Sequence, residues 1–209
     1  MGKKLSFEGE VLAVQPRIRL TRSFDESSHS YLGYVLRVAG FMDDQKGEFL
    51  IGVGKGAQTK HQFRPGDEID LLCEPVKSPR KEPVDYYKVS RIRICERGPA
   101  DAGAGPPWLT GSLPLMKYRE RGHRRLDAAT YAAECTRCHF GCRMAVEMII
   151  DHWNPSVRRY RFETFCYGPK SCPLYRAGRK RVVPGRKGMS WTEGDWVDED
   201  ATARRGPDD

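Results

Sequence analysis

A chain of 209 residues, 39% hydrophobic and 31% charged, holds one large domain or two small ones with modest cores. Its 36 lysines and arginines outnumber 28 aspartates and glutamates, and the net charge of +8 points toward a polyanionic partner. No apolar run approaches the roughly 20 residues of a membrane span. The N-terminal MGKKLSFEGEVLAV passes straight into an alternating pattern with Glu8 and Glu10, unlike a signal peptide. We therefore expect a cytoplasmic protein with no membrane partner, in which seven cysteines suggest metal ligation before disulfides.

The first part of the chain reads as strands. FEGEVLAV (7–14) alternates, and RIRLTRS (17–23) stays extended after Pro16. YLGYVLRVAG (31–40), EFLIGVG (48–54), EIDLLCEPV (68–76) and DYYKVSRIRICER (85–97) follow, each bounded by Gly, Pro, Asp or Ser. No helical periodicity interrupts them. Five short strands in this span predict a small closed or partly closed barrel.

The long first strand, and Phe63, Pro65, Gly66 and Asp67 leading into the fourth, make residues 5–97 resemble an OB-fold, with the SH3-like barrel as the main alternative. That resemblance implies a five-stranded barrel that binds single-stranded nucleic acid on aromatic platforms and a cationic groove. The segment between strands 3 and 4, GKGAQTKHQFRPGD (54–67), is short and contains glycine, so a full helix is not expected there.

GPADAGAGPPW (98–108) is linker-like, and the weakly patterned basic stretch to Leu126 extends it. DAATYAAEC (127–135) predicts a short helix capped by Asp127. MAVEMIIDHW (144–153) and RRYRFETFCYG (158–168) predict a hairpin around the turn NPSV. The expected organisation is a barrel over 1–97, a linker over 98–126, a cysteine-rich module over 127–190 and an acidic tail over 191–209. Charge follows these divisions: twelve basic residues face five acidic ones in 127–190, and two face seven in 191–209.

CTRCHFGC (135–142) raises three possibilities. C-x-x-C-H matches a c-type haem attachment, but that chemistry requires export. The hairpin would bring Cys166 and Cys172 back beside Cys135 and Cys138, giving four thiolates for a tetrahedral zinc ion. This resembles a zinc ribbon, with YGPKSCP (167–173) as the second knuckle and Cys142 as an alternative ligand. C-x2-C-x3-C with a distant cysteine also suits an iron–sulfur cluster. Cys73 and Cys95 read as buried thiols of the barrel.

The segment from Thr164 to Thr192 contains no acid and carries Arg176, Arg179, Lys180, Arg181, Arg186 and Lys187. Such a run neutralises phosphates, or pairs with the acidic GDWVDED (194–200). On the barrel, Arg17, Arg19, Arg22, Lys55 and Lys60 supply charge, and Tyr31 and Tyr34 supply stacking surfaces. No P-loop, Rossmann glycine pattern or H-E-x-x-H occurs, and SFDESSH (23–29) is a turn, so no enzyme activity is expected. The expected fold is mainly β, an OB-like barrel plus a small metal-stabilised, zinc-ribbon-like hairpin. The expected function is binding RNA or single-stranded DNA with a structural zinc. The alternatives are an iron–sulfur protein in electron transfer or cofactor assembly, and an adaptor docking on a large ribonucleoprotein or polymerase assembly.

Overall fold

The computed structural model describes residues 4–100, 105–154 and 156–206. It is mainly β. The strands are β1 (Leu5–Arg22), β2 (Ser27–Met42), β3 (Gln45–Val53), β4 (Glu68–Pro75), β5 (Tyr86–Glu96), β6 (Arg124–Arg125), β7 (Gly141–Ile149), β8 (Arg158–Cys166), β9 (Val182–Pro184) and β10 (Ser190–Thr192). Short helices lie between them: α1 (Lys55–His61), α2 (Leu115–Arg121), α3 (Ala128–Thr130) and α4 (Trp196–Ala201).

The first five strands pair in a ring. β1 pairs with β2, β2 with β3, β3 with β5, β5 with β4, and β4 with β1. The β3–β5 contact is the parallel one, through Ile51 and Tyr86. β1 is long enough to continue past β4, and its last four residues run parallel to β7. β7, β8 and β6 thereby extend the same mixed sheet. β9 and β10 form a separate two-stranded sheet.

An irregularity in β1 sets its inward face. Phe7 and Val11 are buried at odd positions. Register shifts between Val11 and Ala13, and Val14, Ile18 and Leu20 are buried thereafter at even positions. One extra residue in a strand moves every later side chain to the opposite face. Arg22 consequently falls on the buried side, while Arg17 and Arg19 point away from it. Gly9 and Gly40 face each other where β1 and β2 approach closely. A Cβ on Gly9, whose φ is +154°, would lie 2.2 Å from the Ala39 carbonyl oxygen.

The expected lack of a helix between the third and fourth strands is corrected by α1. Gly54 lies outside as its N-cap, so the helix interior contains only Gly56. Lys60 and His61 at the C-terminal end suit the helix dipole, and Gln62 in the left-handed region ends the helix. Asp127 caps α3 by accepting from the Thr130 N–H, and the turn runs on as a π-helix through Cys135.

One apolar cluster spans both halves of the chain. Phe7, Ile18, Leu36, Ile51 and Leu71 from the ring share it with Tyr118, Met144, Val146, Phe165 and Tyr167. The segment 98–126, read as a linker, carries α2 and β6 in its described part, with Leu115 and Tyr118 buried. Residues 101–104 of that segment and Pro155 of the NPSV turn lie outside the described residues.

Candidate metal centre and basic groove

Cys135 ends the π-helical turn, Cys138 follows in a tight turn, Cys166 closes β8, and Cys172 lies in the loop beyond. Burial pushes the Cys135 thiol up to about 12, with the charges of Cys138, Cys166 and Cys172 adding to it. Burial likewise raises Cys138 to about 11, assisted by Cys166. Cys166 is also raised by burial, and Cys172 adds to the shift. The four thiols thus share one electrostatic neighbourhood. The Gly168 N–H donates to Cys166 Sγ at 3.3 Å, the kind of bond that supports a thiolate. Among the described residues, no three His, Cys, Asp or Glu side chains converge at metal-holding distance.

Cys142 is placed differently. It is fully buried, and its Sγ donates to the Pro16 carbonyl at 3.3 Å. Burial alone pushes its thiol far up. Cys73 is buried beside Met42, whereas the expectation that Cys95 is buried is corrected by its position on the outward face of β5, where it is exposed.

Gln15 ties the cysteine turn to the ring. Its side-chain amide donates to the carbonyls of Cys135 and Cys138, both at 2.8 Å. Its oxygen accepts from the Tyr131 hydroxyl at 2.8 Å. The site is crowded, since a Cβ on Gly141 would lie 2.8 Å from the Gln15 nitrogen. His139 is turned to Thr110, 2.7 Å from its Nδ1.

Beside this turn runs a groove of about 940 Å³ between the ring and the β7–β8 hairpin. Six cationic residues line it, Arg37, Arg143, Arg161, Arg179, Lys180 and Arg181, against Asp127 and Glu163. The cations are not equally available. Glu163 takes Arg161 at 2.6 Å and Arg181 at 3.0 Å, and Arg37 reaches Glu48 at 3.3 Å. Lys180 pairs with Asp195 at 3.2 Å. Arg143 and Arg179 make no ion pair among the described residues. The Arg143 guanidinium stacks on half-buried Phe162 at 4.0 Å. Both residues rise from one face of the hairpin, one step apart in the pairs Arg143↔Thr164 and Ala145↔Phe162.

The candidate residues named from sequence fall into separate places. Arg179, Lys180 and Arg181 line the groove, with Arg181 turned inward to stack on Phe165 and bond the Thr164 carbonyl. Arg22 is buried and engaged by Glu193 at 2.9 Å and Glu163 at 3.8 Å, which removes it from any phosphate-facing surface. Arg17 and Arg19 share Glu82, each at 2.5 Å. Tyr31, Tyr34 and Lys55 line a smaller hollow of about 270 Å³ with Arg119, and the Tyr34 hydroxyl donates to the Leu113 carbonyl. Lys60 is exposed on α1. Arg176 is exposed and donates to the carbonyls of Pro173 and Tyr175. Arg186 and Lys187 are exposed in the turn between β9 and β10.

Sequence reasoning missed Arg37, Arg143, Arg161 and Phe162. The only available signal was alternation along their strands, which does not say which strand faces which.

The acidic tail folds against the basic region. Asp195 and Asp198 hold buried Arg125 at 2.6 and 2.8 Å, and α4 carries Asp198. No helix of the described residues is long and apolar enough to cross a membrane. No protein-family model, curated protein or solved structure matches this chain.

Proposed function

We propose that this protein binds single-stranded nucleic acid, RNA or DNA, along the groove between the strand ring and the β7–β8 hairpin. The carrying observation is six cationic residues lining one groove against two carboxylates. Arg143 and Arg179 are the phosphate or base contacts, because neither makes an ion pair among the described residues. The Arg143–Phe162 stack offers a flat surface on which an unpaired base can lie. A five-strand ring with a helix between its third and fourth strands supports reading residues 5–97 as an OB-like barrel.

In this reading Cys135, Cys138, Cys166 and Cys172 hold a structural zinc ion as thiolates. The donor chemistry fits: burial raises the Cys135, Cys138 and Cys166 thiols, Cys172 adds to the shifts of Cys135 and Cys166, and a divalent cation would relieve them as thiolates. The orientation of Cys142 toward Pro16 supports a four-thiolate zinc site over a cluster that also uses Cys142. The ion would fix the turn that Gln15 anchors, and with it one wall of the groove.

Fluorescence anisotropy with single-stranded oligonucleotides over a salt series tests the interface. Each phosphate contact to a single strand contributes about 0.7 to the slope of log affinity against log salt. Arg143→Ala with Arg179→Ala should flatten the slope by about 1.4. An unchanged slope overturns the groove as the binding surface. Weak binding to naked oligonucleotides would favour docking on a larger assembly.

A further inference from the structure

A second concavity, of about 550 Å³, opens where the turn after β1 meets β10 and α4. Its chemistry is the reverse of the groove. Trp191 and Trp196 form an aromatic corner, with ring centroids 6.4 Å apart and planes at 63°. Phe24 contributes a third ring, and both Phe24 and Trp196 are well exposed.

The corner is built on glycine backbone. A Cβ on Gly194 would lie 2.5 Å from the Trp196 indole, and one on Gly185 would lie 3.0 Å from the Phe24 ring. Any side chain at Gly194 would displace Trp196 from its place beside Trp191.

Carboxylates surround the rings. Asp25, Glu26 and Asp200 line the pocket with Glu193, against Arg22 alone. Glu193 is only 4% exposed. One of its oxygens bonds Arg22 at 2.9 Å, while Oε2 is buried without a hydrogen-bond partner. A buried carboxylate oxygen left unpaired is costly, and a cation entering the pocket would offset that cost. An anion would be repelled, and a neutral apolar group would strip water from the carboxylates without compensation. A strongly hydrated inorganic cation gains little from indole faces. An alkylated ammonium has both the diffuse charge that attracts aromatic rings and the methyl surface that fills the corner.

We propose that this pocket binds a methylated ammonium group, carried either on a trimethylated lysine side chain or on a free quaternary amine. It is a separate site from the nucleic-acid groove.

Titration of the intrinsic tryptophan fluorescence tests it. The probes are choline, N-acetyl-trimethyllysine methylamide and 3,3-dimethylbutanol, the neutral isostere of choline. Both cations should give saturable changes, and the isostere should bind at least about tenfold more weakly. Trp196→Ala should abolish the response. Asp200→Asn, at an exposed position, should weaken it several-fold while leaving the folded circular dichroism spectrum unchanged. A tighter response to the lysine derivative assigns a methylated partner protein, and a tighter response to choline assigns a free amine. No saturable response to either cation, or equal binding of the isostere, overturns the proposal.

Discussion

Lowering the pH from 7 to 5 should destabilise this fold through His29 and His123. Their rings lie 4.7 Å apart, with His123 also edge-on to Phe165. Burial, and then the charge of Arg22, pushes His29 down to about 4. Its Nε2 is buried without a hydrogen-bond partner. Burial drives His123 well below the usual histidine range, reinforced by His29, Arg181, Arg22 and Arg205. Both rings are therefore neutral in the folded protein, whereas the unfolded chain takes up protons near pH 6.5. The stabilisation is complete above that pH and is lost as pH falls through 6.5 toward 4. Between pH 7 and 5, His29 alone removes about 2 kcal/mol, and His123 acts in the same direction. That is a large share of the roughly 5–15 kcal/mol of a typical domain. Urea denaturation at both pH values, followed by circular dichroism, measures the loss. His29→Gln should show a loss about 2 kcal/mol smaller than the parent protein. Protonation of the cysteines affects both proteins alike and cancels in that difference. Equal losses in the two proteins would refute the assignment of neutral, buried histidines.

Three further outcomes are expected. Gly40→Ala places a Cβ 2.2 Å from the Glu8 carbonyl oxygen where β1 and β2 approach, and should cost more than about 2 kcal/mol in the same urea assay. Gln15→Leu leaves the Cys135 and Cys138 carbonyls and the Tyr131 hydroxyl without their partner, and should cost about 3 kcal/mol. Cys135→Ser should lower the zinc content measured by elemental analysis of purified protein, whereas Cys142→Ser should leave it unchanged; equal zinc in both would dissolve the four-thiolate assignment.

Much of the strand order was legible because alternation and turn residues are local signals. The fourth and fifth strands, expected over 68–76 and 85–97, form over 68–75 and 86–96. The hairpin expected over 144–153 and 158–168 forms as β7 and β8, and Asp127 caps the turn before Cys135 as its side chain dictates. α1 was not expected because its segment is short and contains glycine at positions 54 and 56. Which of them falls inside the helix is decided by the end of β3, not by local composition. The pairing of β1 with β7 was also invisible, because it joins residues more than 120 positions apart and carries no periodic mark. The same distance hid the groove. Arg22 and Arg181 look alike in sequence to Arg143 and Arg179, yet a strand irregularity and Glu163 turn the first two inward. The acidic tail was recognised by composition, but its use of Asp195 and Asp198 to hold Arg125 depends on packing alone.

The parallel pairing of β1 with β7 has a consequence for synthesis. Arg19–Arg22 leave the ribosome more than 100 residues before their partners, Ala145–Met148. Until those arrive, the end of β1 presents an unpaired edge, a form that invites pairing with other chains. Arg22 also waits without Glu163 and Glu193. A nascent chain stopped near residue 100 would carry a nearly complete ring with one open seam. Such a chain already holds Glu82, the partner of Arg17 and Arg19, so Arg22 is the arginine of that seam left without its carboxylates.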